Sequence, residues 1–223
     1  MKKLLTIILV FLTINSIAQV ATINDKDGFT NVREKPSIDS KVIYKLNNNK
    51  VFWYDYSEKN DTSDWAVVYI PKNDLSLGCT DFKFLVGFIH KSRLAPLDKM
   101  EEYKKSDFKF SYTLKDFNPD NRIIDWINNR SVSSIDGQSV WGTDGELPKT
   151  EIEKISIKID GEEININKAF YSNLFECDNE FRVYKKEDTF FVYQDNSDGA
   201  GYYQIVWVLN KTGLIQRLLG TIY

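Results

Sequence analysis

The chain is poor in the residues that most often carry chemistry. Its 223 residues include one histidine, His90, and two cysteines, Cys79 and Cys177. One imidazole cannot build the two- or three-histidine sites of zinc hydrolases, so that class is excluded. No metal constellation accompanies the cysteines, and no cofactor is expected. A cysteine–histidine peptidase needs its thiolate within hydrogen-bond reach of an imidazole. Cys79 lies near His90 in sequence, but Leu77-Gly78-Cys79-Thr80 has no nucleophile-on-helix pattern. The competing reading of His90 is a strand residue at the solvent edge.

Excess charge of one sign is also missing. Lysine and arginine number 29 against 32 aspartates and glutamates, mixed along the chain. Nucleic-acid binders need a basic stripe to displace counterions, and none occurs. An anionic membrane surface likewise finds no polybasic footing.

Long apolar runs are confined to one place. Met1-Lys2-Lys3 is a short basic region, and Leu4 to Ile14 is apolar except for Thr6 and Thr13. That run falls short of the ~20 residues a bilayer-crossing helix needs. Ser16-Ile17-Ala18 supplies small residues at the positions a signal peptidase requires. The expectation is an exported protein, periplasmic or secreted, cleaved after Ala18 and without a membrane span once cleaved. A retained anchor is the alternative. The two cysteines of an exported chain admit a Cys79–Cys177 disulfide, which would tie the two halves of the chain together. Two separate thiols, or a metal-free buried pair, are the other outcomes.

Beyond the leader, turn signals and period-two alternation dominate. Phe29 to Arg33, Lys41 to Leu46, Val51 to Tyr56, Trp65 to Ile70 and Phe84 to His90 are short strands. They are separated by Asp27-Gly28, Pro36-Ser37, Asn47-Asn48-Asn49 and two polar loops. Such spacing indicates a small barrel or sandwich over residues 19–98. Residues 99–107 are charged and without apolar period, as in a linker. Residues 108–223 form a second β-rich unit, opening with the strand Phe108 to Leu114. Ile123 to Ile127 is open to helix or strand, and Asp136-Gly137 is a hairpin dipeptide. Ile155, Ile157 and Ile159 pair through Asp160-Gly161 with Ile164 and Ile166. Lys168 to Phe175 has helical spacing over about two turns, and four strands from Phe181 to Ile222 make an antiparallel meander. The predicted class is mainly β: a small N-terminal barrel and an antiparallel β-rich C-terminal domain, with at most one or two short helices.

One part of the chain has a recognisable signature. Asn31-Val32-Arg33, Pro36-Ser37, Ser40-Lys41-Val42-Ile43 and Leu46 are followed by Trp65 and Val67, then by Gly87-Phe88-Ile89-His90 and Leu94. Together, over residues 21–97, they resemble the bacterial SH3-like (SH3b) family. The resemblance implies a small β-barrel that engages cell-wall peptide, peptidoglycan or an envelope protein without catalysing a reaction. Glu34-Lys35 replaces the family's usual Ser-Gly, and residues 72–83 form a longer loop than its norm. The C-terminal unit has only a vague likeness to uncharacterised domains of exported bacterial proteins.

Two groups of residues are candidate sites. Trp53, Tyr54, Tyr56, Trp65 and Phe88 crowd a barrel too small to bury them all. Alternation sends Trp53 to one face and Phe52, Tyr54 and Tyr56 to the other. Aromatics left outside beside the acidic loop Glu58–Asp64 would line a groove for peptide or glycan; otherwise all are packing. The second group is Trp141, Asp144, Asp195, Asp198 and Tyr202. Asp195 to Gly201 alternates oxygen ligands as a calcium loop does, but it lacks the later bidentate glutamate and equally suits a bulged turn. Trp141-Gly142-Thr143-Asp144-Gly145 is either a recognition loop or a glycine turn with Trp141 plugging the core. A cell-envelope hydrolase, or the inhibitor partner of one, with Asp144, Asp195 and Asp198 in one cleft is the alternative function, since glycoside hydrolysis needs only two carboxylates.

Overall fold

A computed structural model describes residues 19–55, 63–75, 84–197 and 199–221. The signal-peptide expectation therefore lies outside the described residues, as do Tyr56, Cys79 and Asp198.

The N-terminal half is a seven-stranded antiparallel sheet curled round its own core. Its strands are β1 (Gln19–Ile23), β2 (Phe29–Arg33), β3 (Val42–Asn47), β4 (Phe52–Asp55), β5 (Trp65–Pro71), β6 (Phe84–His90) and β7 (Leu94–Pro96), in the order β3-β2-β6-β5-β4-β1-β7. Alternation decides which residues go inside. Ala21, Ile23, Val32, Leu46, Phe52, Tyr54, Val68, Ile70 and Ile89 form one buried cluster drawn from both ends of the sheet. Gly87 permits the closest approach: a Cβ there would lie 2.5 Å from Val32 and 2.9 Å from the Arg33 carbonyl. Only glycine lets β6 reach β2.

The C-terminal half adds β8 (Phe108–Asp116), β9 (Ile124–Ile127), β10 (Ser131–Ile135), β11 (Gln138–Ser139), β12 (Thr150–Ile159), β13 (Glu162–Ile164), β14 (Arg182–Lys186), β15 (Thr189–Asn196), β16 (Tyr203–Asn210) and β17 (Gly213–Gly220). They make three antiparallel sheets: β11-β10-β9, β13-β12-β8 and β14-β15-β16-β17. The Asp160-Gly161 hairpin forms as expected, both residues at positive φ and Ile157 opposite Ile164. The segment open to helix or strand is the strand β9.

The four-stranded sheet is a middle layer. On one face Phe190, Val192, Tyr203, Ile205, Trp207 and Leu209 meet Phe108, Tyr112, Ile152, Ile155 and Ile157 of the β8–β12 sheet. On the other face Tyr184, Phe191, Tyr193, Val206, Val208 and Leu218 meet Val20, Val51, Trp53 and Leu97 of the curled sheet. Every residue from Tyr203 to Leu209 is buried for this reason. A strand covered on both sides has no polar face to alternate with.

Two expectations change. Lys168 to Phe175 gives only a three-residue 3-10 turn, Lys168–Phe170, capped by the Asn167 side chain. Past it the chain turns to pair with its neighbour: Trp141 donates to the Asn173 carbonyl, and Phe175 donates back to that of Trp141. Residues expected as a linker instead lie along the edge of β14, with Glu102 bridged to Tyr184 and the Tyr103 amide donating to Val183. Among the described residues no helix is long and apolar enough to cross a membrane.

Candidate functional site

Trp53 and Tyr54 are both 1% exposed. Tyr54 points into the core of the curled sheet and donates to Gln19 at 2.5 Å. Trp53 points the other way, but toward the middle sheet and not toward solvent. Neither can line an open groove, which corrects that part of the sequence expectation. Alternation put Trp53 and Tyr54 on opposite faces of β4 but could not show that one face fills the curled sheet and another sheet covers the other.

Trp65 and Phe88 remain at the surface, each half-buried. They belong to the outer face of β5 and β6, where Trp65 pairs with His90, Val67 with Phe88 and Tyr69 with Val86. Val86 is 52% exposed. His90 sits edge-to-face on Trp65 with centroids 5.6 Å apart. Its Nδ1 accepts from the Ser92 amide at 3.3 Å and lies 2.7 Å from the Ser92 hydroxyl, capping the Lys91–Arg93 turn. The face runs without a break into the intersheet seam, where Tyr69 and Phe84 pack and Phe84 meets Trp53 edge-on.

A polar relay starts at that seam. Trp53 Nε1 donates to Gln204 Oε1 at 2.9 Å, and Gln204 Nε2 donates to Tyr193 Oη at 2.8 Å. Tyr193 donates in turn to Asp195 Oδ1 at 2.6 Å. Asp195 also accepts from Tyr202 Oη at 2.7 Å and is ion-paired with Arg182 through Oδ2. Arg182 lies over the Tyr193 ring, 4.5 Å from its centroid. Burial first, then the adjacent Asp195 charge, pushes the Tyr193 hydroxyl pKa up, so it stays a donor. Nearby, Gln216 closes a two-way bond with Val51, accepting from its amide and donating to its carbonyl, each at 2.8 Å.

Of the second candidate group, Asp195 and Tyr202 are therefore in direct contact. Asp144 meets the same loop from another side, its Oδ1 accepting from the Gly201 amide. Trp141 faces inward, 5.8 Å from the Tyr203 ring, and packs on the C-terminal core. The loop that carries it is held by Gly142 at φ +104, where a Cβ would sit 2.2 Å from the Phe175 carbonyl oxygen. The partial burial of Trp141 against that core is what the plug reading expects. Among the described residues no group of three or more His, Cys, Asp or Glu could hold a metal ion.

Cys177 is a free, buried thiol, and Cys79, its admissible partner, lies outside the described residues. Its Sγ is 3.1 Å from Tyr203 Oη. Burial, the largest cause, raises the thiol pKa to about 12, which leaves it without nucleophilic character at neutral pH. Close by, Trp207 Nε1 donates to Tyr112 Oη, and the buried Arg217 donates to Asn173 Oδ1, both at 2.9 Å. Sequence patterning gave no warning of Gln204, Gln216 or Arg217. The one available signal was the unbroken apolar run Ile205 to Leu209, whose double-sided burial forces neighbouring polar residues to find partners inside.

No protein-family model, no curated protein and no solved structure matches the chain.

Proposed function

We propose that the protein is an exported, non-enzymatic binding protein. On this reading the curled N-terminal sheet receives peptide from the cell wall or from an envelope protein, and the C-terminal sheets act as scaffold. The observation that carries it is the outer face of β5 and β6, where Trp65, Val67, Phe88 and Val86 form a partly exposed apolar row beside His90. Aromatic side chains with one open face supply much contact area at little entropic cost. The SH3-like signature and the export leader support the choice of ligand. The carboxylate-based hydrolase reading has less support, because both oxygens of Asp195 are engaged by Arg182, Tyr193 and Tyr202.

A sedimentation assay on purified peptidoglycan sacculi tests the reading, using residues 19–223 and a Trp65→Ala/Phe88→Ala variant. The parent chain is expected to pellet with the sacculi and the variant to stay in solution. Equal behaviour of the two would remove the β5–β6 face from the binding site. Absence of pelleting by the parent chain would remove the cell-wall ligand.

A further inference from the structure

We infer that the edge of β9 is a second interaction surface, which takes up an extended peptide strand with a basic residue at its centre. This goes beyond the proposed function and does not rest on it. Among the described residues, three of the most exposed large apolar side chains fall within five positions: Ile123 at 69%, Trp126 at 45% and Ile127 at 57%. They lie on or next to β9, which has β10 on one side and, among the described residues, no strand on the other.

The backbone phase of β9 is fixed by its neighbours. Ile135, opposite Ile124, directs its hydrogen-bonding groups across the Asp136-Gly137 turn to Gln138. Val132, opposite Trp126, donates instead to the Gly145 carbonyl. Ile123 exchanges bonds with Asp136, and Ile127 accepts from Arg130. Ladder groups alternate along an antiparallel strand, so the N–H and C=O groups of Ile124 and Trp126 point away from β10. Three other edges, those of β8, β14 and β17, are met by protein groups. The Asn179 side chain closes β8 by bonding both backbone groups of Tyr112. Glu102 and Tyr103 lie along β14, and the Arg217 amide of β17 donates to Asp74. An apolar edge with free ladder groups is a template for strand addition.

Asp125 selects the occupant. An added antiparallel strand bonds to Ile124 and Trp126, which leaves Asp125 in the non-hydrogen-bonded pair between them, where facing side chains come closest. Asp125 accepts from Ser134 through Oδ2. The nearby Arg122 is tied to Asp136 and Glu151 and does not neutralise it. A second copy of this chain, paired in the register that matches its apolar residues, would set Asp125 against Asp125. Like charges directly opposite are unfavourable. A strand with lysine or arginine opposite Asp125, and apolar residues facing Ile123 and Ile127, satisfies every position.

The test uses 15N-labelled residues 19–223 and two blocked peptides, Thr-Val-Thr-Lys-Thr-Val-Thr and the same peptide with glutamate for lysine. The lysine peptide should shift the Ile124 and Trp126 amide resonances and bind about threefold or more tightly than the glutamate peptide. Asp125→Lys should reverse that preference. Trp126→Pro removes an outward N–H at an exposed position without touching the β9–β10 ladder, and should abolish binding at an unchanged unfolding midpoint. Equal binding of the two peptides, absence of binding, or an unaltered preference in Asp125→Lys would overturn the inference. So would concentration-dependent dimerisation through β9, measured by sedimentation velocity.

Discussion

Trp53 Nε1 and Gln204 Oε1, 151 positions apart, meet at 2.9 Å inside the seam between the curled sheet and the middle sheet. The bond is buried at both ends, and it turns two candidate modules into packed layers with a shared apolar cluster.

Trp53→Ala should destabilise the chain by about 3–5 kcal/mol, since it deletes a fully buried indole and leaves a cavity. Trp53→Phe keeps most of the volume but removes the donor to Gln204, for about 1–3 kcal/mol. Urea unfolding followed by circular dichroism measures both. Unfolding of the parent in one transition is expected too, because the seam joins both halves.

Gln216 tests the same seam without an aromatic. Gln216→Leu strands the Val51 amide and carbonyl in an apolar interior, and a buried unpaired group costs about 1–3 kcal/mol. Its cost should exceed that of Arg182→Ala, which breaks a half-exposed ion pair worth about 0–1 kcal/mol. Reversal of that order in denaturant midpoints would mean the seam contributes little.

Gly142→Ala should be among the most damaging single changes, about 3 kcal/mol or more, because it combines a left-handed φ with a backbone clash at Phe175. Gly137→Ala, at positive φ but in open space, should cost only about 1 kcal/mol. Thermal melts of the two variants make the comparison.

Cys177 predicts an alkaline limit to stability. The native thiol titrates at about 12, whereas a free cysteine titrates at about 8.5. Below pH ~8.5 both states hold the proton and the contribution is fully present. Above it the unfolded chain ionises first, and stability falls by up to ~1.4 kcal/mol per pH unit until the native thiol also titrates. Burial raises the Tyr112 and Tyr203 hydroxyls as well, so the loss steepens above ~10. Unfolding curves from pH 7 to 11 should show this slope, reduced between 8.5 and 10 in Cys177→Ser. In a Cys79→Ser background the remaining thiol should resist a disulfide reagent at pH 8 until denaturant is added.

Most of the strands were legible in the residues themselves, β9 being the exception. Period-two alternation put Trp53 on one face of its strand and Phe52 and Tyr54 on the other, and Asp160-Gly161 and Asp136-Gly137 marked their hairpins, because these depend on neighbours a few residues away. Only the tertiary structure decided what each outer face meets. Alternation states that a residue leaves its own sheet's core, not whether water or a second sheet lies beyond. Trp53 and Trp65 occupy the outer faces of adjoining strands in one curled sheet, yet one is sealed against Gln204 and the other stays partly open. The difference comes from residues more than 130 positions away, and long-range packing of that kind leaves no local pattern.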